Sequence, residues 1–368
     1  MSRTVSACLL ALIFAVSCTG PVQNGKETIP LVESIASRVD SPEHIMLSSF
    51  SKVPSSGSIF IAGSPEVCTL IGDGFLNCDD FDNVRARIFS DGLKDFSGES
   101  FALASDEAFA PYGEFTGSNG SEAMREVTVR MALTALKDKC NISIYDVEGN
   151  KDKAPAKIII LSDPWMLHSG KFDVDTLFSL TSCKVPVLSP QELLFKSVLA
   201  GEKKYFNIGL MCDSLYSGTG VYKSIFEEKA AKYSIMGTSY YESATAGEEG
   251  QILAAFLDKY AGSGNVQPLD ALLVDDWSVN KQALMDELAL IRDLTKEESM
   301  RYGKMISPDF SIFCSSELTM HECYLTMRKH SLFTHRIALP ELKHYTIKPL
   351  PGAREHEFML IPSENVQD

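Results

Sequence analysis

"YFNIGLMCDSLYSGTGVYKSIFEEKAAKYSIMGTSYYES", residues 205–243, is the stretch that decides the fold class. It has an apolar run, a Ser/Gly-rich turn, an amphipathic helix pattern and a second β-rich run. Short β-rich runs that alternate with helix patterns are typical of βαβ units, whose strands are parallel. The stretch therefore predicts strand, turn, helix and strand.

The same alternation extends over most of the chain. The candidate strands are residues 100–106, 141–147, 157–163, 184–190, 206–213, 233–239, 271–276 and 310–316. The candidate helices are residues 121–140, 172–182, 190–201, 220–233, 249–262 and 279–294. The strands are continuous apolar runs, as parallel strands covered on both faces should be. We predict an α/β fold with two lobes of parallel, helix-flanked (Rossmann-like) sheet.

The length of 368 residues suggests about two domains. We place the passage between two sheets at the polar residues 201–204. The predicted segments are a signal peptide at 1–17, a tether at 18–28, an additional segment packed on the first lobe at 29–95, a first lobe at 96–203, a second lobe at 204–330, and a tail at 331–368 that returns to the first lobe.

Composition excludes one class of function. The chain is 45% apolar and 23% charged, with a formal net charge of -15 and no dense Lys/Arg cluster. Nucleic-acid binding requires a basic stripe, so we predict no nucleic-acid partner. The net charge alone does not indicate a cationic ligand, because acidic surfaces usually serve solubility.

The N-terminus has the pattern of an export signal. Arg3 precedes an apolar core at residues 7–16, which is shorter than the roughly 20 residues that a membrane-spanning helix needs. The sequence Ala15-Val16-Ser17-Cys18 resembles the lipobox of bacterial lipoproteins. That resemblance implies a lipid on Cys18 and a protein anchored to a membrane of the cell envelope, and plain secretory cleavage is the alternative.

The cysteine count constrains disulfide bonding. Without Cys8 and Cys18, seven cysteines remain, an odd number. Cys68 and Cys78 are the pair that we expect to form a local disulfide, if any forms. No cysteine pair has zinc-finger spacing, so we predict no structural metal.

Acidic residues recur where the predicted strands end, and ligands of open α/β sheets bind beyond those ends. Asp106, Asp163 and Asp213 each end a strand, and Asp275 and Asp276 end another. The residues selected as ligand-binding candidates are Asp106, Tyr112, Ser162, Asp163, Trp165, Asp213, Ser217 and Asp276. The alternative is that these Asp and Ser residues cap the following helices.

Motifs for cofactors and common hydrolytic sites are absent from the sequence. The segment 216–220 lacks the spacing of a phosphate-binding loop, and there is no Gly-x-Ser-x-Gly nucleophile elbow. The seven histidines show no metal-binding spacing. We predict no cofactor and no metal.

The segments "AKIIILSD", "KVPVLSP" and "FNIGLMCDSLYSGTGVY" together resemble type I periplasmic-binding proteins. In that family a first lobe ends in similar strands and the chain then crosses to a second lobe. The resemblance implies a type I periplasmic-binding-like fold that binds a polar small molecule between its lobes without catalysis. It also implies a transporter or a sensor as a protein partner.

"IGLMCDSLYSGTGVY" is also similar to the strand and loop that begin the second half of aspartate/glutamate racemases, and "IFCSSELTM" to a cysteine-containing loop of theirs. That resemblance implies an enzyme with Cys314 as a thiol base and Glu317 beside it. The second cysteine should follow strand 157–161, where this chain has Ser162-Asp163-Pro164. An enzyme, either a hydrolase or a racemase-like isomerase, is therefore the alternative function. A third class is a partner-binding protein whose cleft is closed by residues 28–95.

Overall fold

The computed structural model describes residues 26–85, 87–201, 203–352 and 356–365. The predicted signal peptide, Cys18 and most of the tether lie outside these residues. No helix in the described part of the chain is long and apolar enough to cross a membrane.

Helices and strands alternate along the chain. The helices are α1 Pro30–Ser37, α2 Pro42–Ser49, α3 Pro65–Asn77, α4 Tyr112–Asn119, α5 Ser121–Leu136, α6 Lys171–Leu180, α7 Pro190–Leu199, α8 Val221–Lys232, α9 Ile252–Gly262, α10 Lys281–Arg292, α11 Glu297–Tyr302 and α12 Ser315–Lys329. The strands are β1 Ser58–Gly63, β2 Ser100–Asp106, β3 Lys139–Cys140, β4 Lys151–Asp152, β5 Ala156–Leu161, β6 Val187–Leu188, β7 Asn207–Cys212, β8 Ser239–Ala244, β9 Leu269–Asp275, β10 Ile306–Cys314, β11 Glu341–Pro349 and β12 Phe358–Pro362. A π-helical turn, Met166–Gly170, precedes α6, and a 3-10 turn, Ser363–Asn365, follows β12.

Two sheets form the two lobes. The first has the strand order β12-β11-β2-β1-β5-β6, in which β12 alone runs antiparallel to its neighbour. The second has the order β10-β9-β7-β8 and is parallel throughout. A separate two-stranded hairpin joins β3 and β4. The predicted α/β class with two lobes of parallel, helix-flanked sheet is confirmed.

Helices cover both faces of each sheet, because the central strands carry apolar side chains on both faces. On the first sheet, α1, α2, α5 and α6 pack on one face, and α3 and α12 on the other. On the second sheet, α9 and α10 pack on one face, and α7 and α8 on the other. The strands therefore present polar side chains mainly at their ends.

The chain crosses between the lobes twice. Helix α7 follows β6 of the first sheet and buries Leu194 and Phe195 against the second. Helix α12 follows β10 of the second sheet and buries Tyr324 and Met327 against the first. The tail then adds β11 beside β2, so it completes the first sheet.

The segment 29–95, predicted as an addition to the first lobe, instead supplies part of its centre. Strand β1 pairs with β2 on one side and with β5 on the other, and all six of its residues are buried. The prediction failed because β1 precedes the regular strand–helix alternation from which the lobe was recognised.

Two predicted strands are wrong. Residues 141–147 form turns, because the Asp146 carboxylate accepts hydrogen bonds from the backbone N–H groups of Ile142 and Asn150. Residues 233–238 form the turn and loop after helix α8, where the Ile235 N–H donates to the Ala230 carbonyl, and Met236 is 90% exposed. The strand is β8 instead, which begins at Ser239, the last residue of the predicted strand.

Cys68 and Cys78, the one pair considered for a local disulfide, are not bridged. All seven cysteines of the described chain are buried and unpaired. Both residues flank or lie in α3, and ten residues of helix separate them by about 15 Å, beyond the reach of a disulfide. Cys78 instead donates its thiol hydrogen to Asp95.

A buried ion pair fixes the C-terminal segment to the first lobe. The Lys157 ammonium group, on β5, contacts Glu99 and donates to the carbonyls of Ser55 and Leu332. The second carboxylate oxygen of Glu99 accepts a hydrogen bond from the Thr334 N–H at 2.8 Å. Both charged side chains are almost fully buried. They therefore hold together three segments that are distant in sequence.

Replacing Lys157 with Met should destabilise the fold by roughly 3–5 kcal/mol, because Glu99 would stay buried without its counter-charge. The double variant Lys157→Met with Glu99→Gln should recover part of that loss. Urea unfolding at pH 7 measures both free energies. A single variant that loses less than about 1 kcal/mol, or a double variant no more stable than the single one, would contradict this role.

Candidate active site

The carboxyl ends of the two parallel sheets meet where the lobes face each other. Asp163 directly follows β5 of the first sheet after Ser162, and Asp275 is the last residue of β9 in the second. The loop after β7 and helix α8 contribute Tyr216 and Tyr222. Carboxyl and phenol groups from both lobes therefore lie in one buried cluster.

Asp163 is 2% exposed and is held by two hydrogen bonds. One carboxylate oxygen accepts from the Tyr216 hydroxyl at 2.6 Å, and the other from the Trp165 N–H at 2.8 Å. The pKa of Asp163 is raised to about 7: burial is the main cause, the negative charges of Asp275 and Asp106 act in the same direction, and the two hydrogen bonds act in the opposite one. This carboxyl group is therefore able to hold or release a proton near neutral pH.

Asp275 has a matching environment in the second lobe. Its Oδ2 accepts a hydrogen bond from the Tyr222 hydroxyl at 2.5 Å, and Tyr222 is fully buried. Burial raises the pKa of Asp275. The rings of Tyr216 and Tyr222 meet edge to face with centroids 6.2 Å apart. Each lobe thus supplies one buried Asp, the second lobe supplies both tyrosines, and the Tyr216–Asp163 hydrogen bond joins the lobes.

A third buried carboxyl group lies at the end of β2. One oxygen of Asp106 accepts from the N–H groups of Ala108 and Phe109, whereas Oδ2 has no hydrogen-bond partner among the described residues. Within the described chain the buried Tyr112 hydroxyl makes no hydrogen bond of normal geometry, but it lies close enough to Asp106 to lower the pKa of that carboxyl group. Burial raises the pKa of Asp106 to about 6. Asp106 and Asp163 each raise the pKa of Tyr112, so the three groups are close enough to interact.

A cavity of about 30 Å³ adjoins the cluster. Its lining residues are Val67, Leu70, Ser162, Gln191, Asp213, Tyr216, Asp275, Asp276 and Trp277. A space of this size accommodates about one water molecule. Val67 and Leu70 come from α3, and a Cβ on Gly74 of the same helix would lie 3.3 Å from the Trp277 ring. Helix α3 and Trp277 therefore close the cleft.

The structure brings some of the predicted site residues together. Ser162, Asp213 and Asp276 line the cavity. Asp163 does not line it, but it accepts a hydrogen bond from Tyr216, which does. Ser162 also donates to the Ala62 carbonyl at 2.8 Å. Its close approach to β1 requires glycine at position 63, where a Cβ would lie 1.9 Å from the Ser162 hydroxyl oxygen.

Other predicted residues have local roles. Asp213 accepts from the Leu215 N–H, and Asp276 from the Ser278 N–H, so both also hold the turns that follow their strands. Ser217 lies in the turn after β7, where its N–H donates to the Asp213 carbonyl. Trp165 packs against the cores of both lobes. Neither Ser217 nor Trp165 lines the cavity.

Four residues of the site were missed as candidates: Gln191, Tyr216, Tyr222 and Asp275. Tyr216 lies in the Ser/Gly-rich turn and Tyr222 in the amphipathic helix pattern, and at both places a tyrosine resembles an ordinary core residue. Asp275 and Asp276 are consecutive, and strand alternation turns Asp275 toward the face that carries Ala271 and Leu273, where α7 and α8 pack. That alternation is the signal that could have selected Asp275.

Cys314 and Glu317 do not line the cavity. Burial raises the pKa of the Cys314 thiol to about 12, which is the wrong direction for a thiolate base. Glu317 forms an ion pair with Lys281. In the described chain, no group of three or more His, Cys, Asp or Glu residues is arranged to hold a metal ion.

No family model matches the chain, and no curated protein matches it. Solved structures similar to it include glutamate racemase from Francisella tularensis subsp. tularensis SCHU S4 in complex with D-glutamate, with 12% identity, a TM-score of 0.45, and coverage of 79% of this chain and 88% of that one. Glutamate racemase isoform RacE1 from Bacillus anthracis has 12% identity, a TM-score of 0.46 and coverage of 79% and 89%. Glutamate racemase from Aquifex pyrophilus has 16% identity, a TM-score of 0.37 and coverage of 78% and 88%.

The prediction of a solute-binding protein is wrong. The space between the lobes is filled by the chain's own side chains and leaves a cavity of about 30 Å³. The comparisons do not show the type I periplasmic-binding and lipoprotein resemblances. The lipid on Cys18 lies outside the described residues. The membrane anchor, the envelope location, and the transporter or sensor partner have not been tested.

Replacing Asp163 with Asn should stabilise the protein at pH 8. In the unfolded chain this carboxyl group ionises near its ordinary pKa of 3.8, whereas in the folded chain it keeps its proton up to about pH 7. Between those values ionisation favours the unfolded state, so the stability of the native protein falls as pH rises and then stays lower. Asn does not ionise and avoids this loss, which amounts to roughly 4 kcal/mol at most.

Urea unfolding at pH 5 and pH 8 measures the effect, with Asp286→Asn as a matched control on the exposed face of α10. The advantage of Asp163→Asn over the native protein should be larger at pH 8 than at pH 5. The same difference at both pH values would show that Asp163 titrates normally.

Proposed function

We propose that the protein is an enzyme of proton-transfer chemistry, an isomerase or a hydrolase, with Asp163 and Asp275 as its acid–base pair. One observation carries the proposal: two buried carboxyl groups with raised pKa values, one from each lobe, meet at the carboxyl ends of the two sheets. Such ends are where α/β proteins bind their ligands.

The electrostatics of the pair suit general acid–base catalysis. An efficient catalytic group has a pKa near the working pH, and the pKa of Asp163 is raised to about 7. The charge of Asp275 contributes to that shift. Two carboxyl groups that repel each other do not ionise equally easily, so one can hold a proton while the other is a base. One carboxyl group of the pair can therefore serve as the general acid and the other as the general base.

The hydrogen bonds of the pair would hold both carboxyl groups in fixed orientations. Tyr216 and Tyr222 each donate to one carboxylate oxygen, and the backbone N–H of Trp165 donates to the second oxygen of Asp163. A fixed acid or base loses less entropy in reaching the reactive geometry. In this mechanism the tyrosines are positioning residues, since their phenol protons are engaged with the carboxylates.

The racemase resemblance in the sequence supports the same assignment. It requires an acid–base group after the strand that is β5 here, and the residues found there are Ser162 and Asp163. In this proposal a carboxyl group performs the proton transfer that a thiol would perform. Cys314 has no part in it, because its thiol is buried and its pKa is raised.

Substrate entry requires a movement, because the cavity of about 30 Å³ is too small for a metabolite. The closing contacts are those of α3 with Trp277, and α3 also packs on α12, one of the two connections between the lobes. A shift of α3 away from Trp277 would open the cleft directly above Asp213 and Asp276.

Incubation of the protein with a mixture of metabolites in heavy water tests the proposal. An isomerase introduces deuterium at a carbon atom of its substrate, and a hydrolase produces new cleavage products, and mass spectrometry detects both. Asp163→Asn and Asp275→Asn should each lower the rate roughly 100-fold or more, since a general acid or base contributes that much. Asp286→Asn is the control. Equal turnover by all four proteins would contradict the assignment.

One observation favours a second function, a partner-binding protein without catalysis. The segment 28–95 does lie across the cleft, since Val67 and Leu70 of α3 line the cavity. This candidate predicts no conversion of any metabolite by the native protein. It also predicts that replacing Gly74 with Ala, which tightens the contact with Trp277, is harmless, whereas in the enzyme it should hinder opening and lower the rate.

A further inference from the structure

A second cleft lies at the edge of the first sheet opposite to Asp163. Its volume is about 660 Å³, which falls within the roughly 300–1,000 Å³ of small-molecule sites. It is lined by residues 51–56, which precede β1, by Lys184 and Pro186, which precede β6, and by residues 330–332, which follow α12. Because β1 and β6 both run parallel to β5, their amino ends lie at one edge of the sheet. We call this site the basal cleft.

The charge of the basal cleft is opposite to that of the chain as a whole. The chain has a formal net charge of -15, but the described residues that line the cleft include Lys52, Lys184 and His330 and no Asp or Glu. The two lysines supply two positive charges, and His330 adds a third when it is protonated. A concave wall with charge of one sign concentrates ions of the other sign. The basal cleft is therefore suited to an anion.

The basic side chains of the basal cleft are available to a ligand. Lys52, Lys184 and His330 are exposed, and within the described chain none of them forms an ion pair or a side-chain hydrogen bond. Lys157 of the same lobe differs from them, since it pairs with Glu99. The positive charges of the cleft are therefore not neutralised by neighbouring carboxylates.

Helix capping does not explain these cations. Helices α2 and α12 end at the basal cleft, and a cation commonly binds the carbonyl groups at such an end. In the last turn of α2, carbonyl groups accept hydrogen bonds from the N–H groups of Phe50 and Ser51 instead. In the last turn of α12 they accept from those of His330, Ser331 and Leu332. Neither lysine of the cleft is bonded to a helix end.

Buried contacts hold the walls of the basal cleft in place. The Lys157 ammonium group donates to the carbonyls of Ser55 at 2.9 Å and Leu332 at 2.7 Å, so it joins two of the three lining segments. The Lys184 N–H donates to the Phe50 carbonyl at 3.0 Å and joins the third. A ligand would therefore lose little affinity to the ordering of its site.

We propose that the basal cleft binds the phosphate group of an organic phosphate. A phosphate monoester has a charge of about -1.5 to -2 at pH 7, which matches the two lysines of the cleft, and three strong acceptor oxygens. Lysine is a common phosphate-binding residue. A single carboxylate group has a smaller charge and fewer acceptor oxygens, so it would use the site less fully.

The other lining residues suit both parts of such a ligand. Serine hydroxyls can donate hydrogen bonds to the phosphate oxygens, and the cleft supplies those of Ser51, Ser56 and Ser331. Apolar side chains would contact the organic part of the ligand, and the cleft supplies those of Val53 and Pro186. The lining therefore favours an organic phosphate over inorganic phosphate.

Thermal unfolding at pH 7 tests the proposal with three probes at equal ionic strength: glycerol 3-phosphate, succinate and glycerol. Glycerol 3-phosphate at ten times its Kd should raise Tm by about 3 °C. Succinate has negative charge without a phosphate group, and glycerol is the uncharged part of the first probe, so both should leave Tm unchanged. An unchanged Tm with glycerol 3-phosphate, or equal stabilisation by succinate, would overturn the proposal.

Paired charge variants test the location of the site. Lys52→Gln combined with Lys184→Gln should weaken the binding of glycerol 3-phosphate roughly tenfold or more in equilibrium dialysis, because charged hydrogen bonds to the phosphate are lost. Lys296→Gln combined with Lys304→Gln removes two lysine charges from the second lobe and should leave binding unchanged. All four side chains are exposed, so Tm without ligand should stay the same in both proteins. An equal effect of the two double variants on binding would contradict the proposed site.

The phosphate group can belong to a soluble metabolite or to a lipid headgroup, and sedimentation with phosphatidylcholine vesicles distinguishes the two. Sedimentation that requires phosphatidic acid in the vesicles and depends on Lys52 and Lys184 would assign the phosphate to a lipid. Binding of glycerol 3-phosphate without sedimentation would assign it to a soluble molecule. Both results support the phosphate site, and the absence of both would contradict it. Because the basal cleft and Asp163 lie at opposite edges of the sheet, neither result depends on the proposed catalytic function.

Discussion

The repulsion between buried carboxyl groups is the constraint on which the rest of the site depends. Parallel strands place all their carboxyl ends at one edge of a sheet, and the two lobes turn those edges toward each other. Asp106, Asp163 and Asp275 are consequently buried together. The proton that Asp163 retains and the two tyrosine hydroxyls reduce the cost of that arrangement, whereas the nearly closed cavity excludes water and adds to it.

The fold class and the location of the site at the carboxyl ends of the strands follow from the sequence. Alternating apolar runs and helix patterns specify parallel strands, and the acids stand at the ends of those strands. Asp163 was found in this way. Residues that reach the site from helices and loops were not, because Tyr216 and Tyr222 are indistinguishable in sequence from core tyrosines. The choice between Asp275 and Asp276 required the direction of each side chain, which depends on the exact end of β9.

The prediction of a solute-binding protein rested on a local strand–turn–helix pattern, which enzymes of the α/β class also contain. Acids at strand ends predict a polar site in both a solute-binding protein and an enzyme. What distinguishes them here is the space between the lobes, which Trp277 and the Val67 and Leu70 side chains of α3 occupy. The position of helix α3 across the cleft depends on β1 lying at the centre of the first sheet, which no local pattern revealed.

The return of the tail to the first sheet has a consequence for synthesis on the ribosome. Strand β11 lies between β2 and β12, but it is made only after the whole second lobe. Until then β2, which ends in Asp106, is an unprotected sheet edge that can pair with another nascent chain. The first lobe therefore begins earlier and finishes later than the second, and chaperone protection would be needed most in that interval.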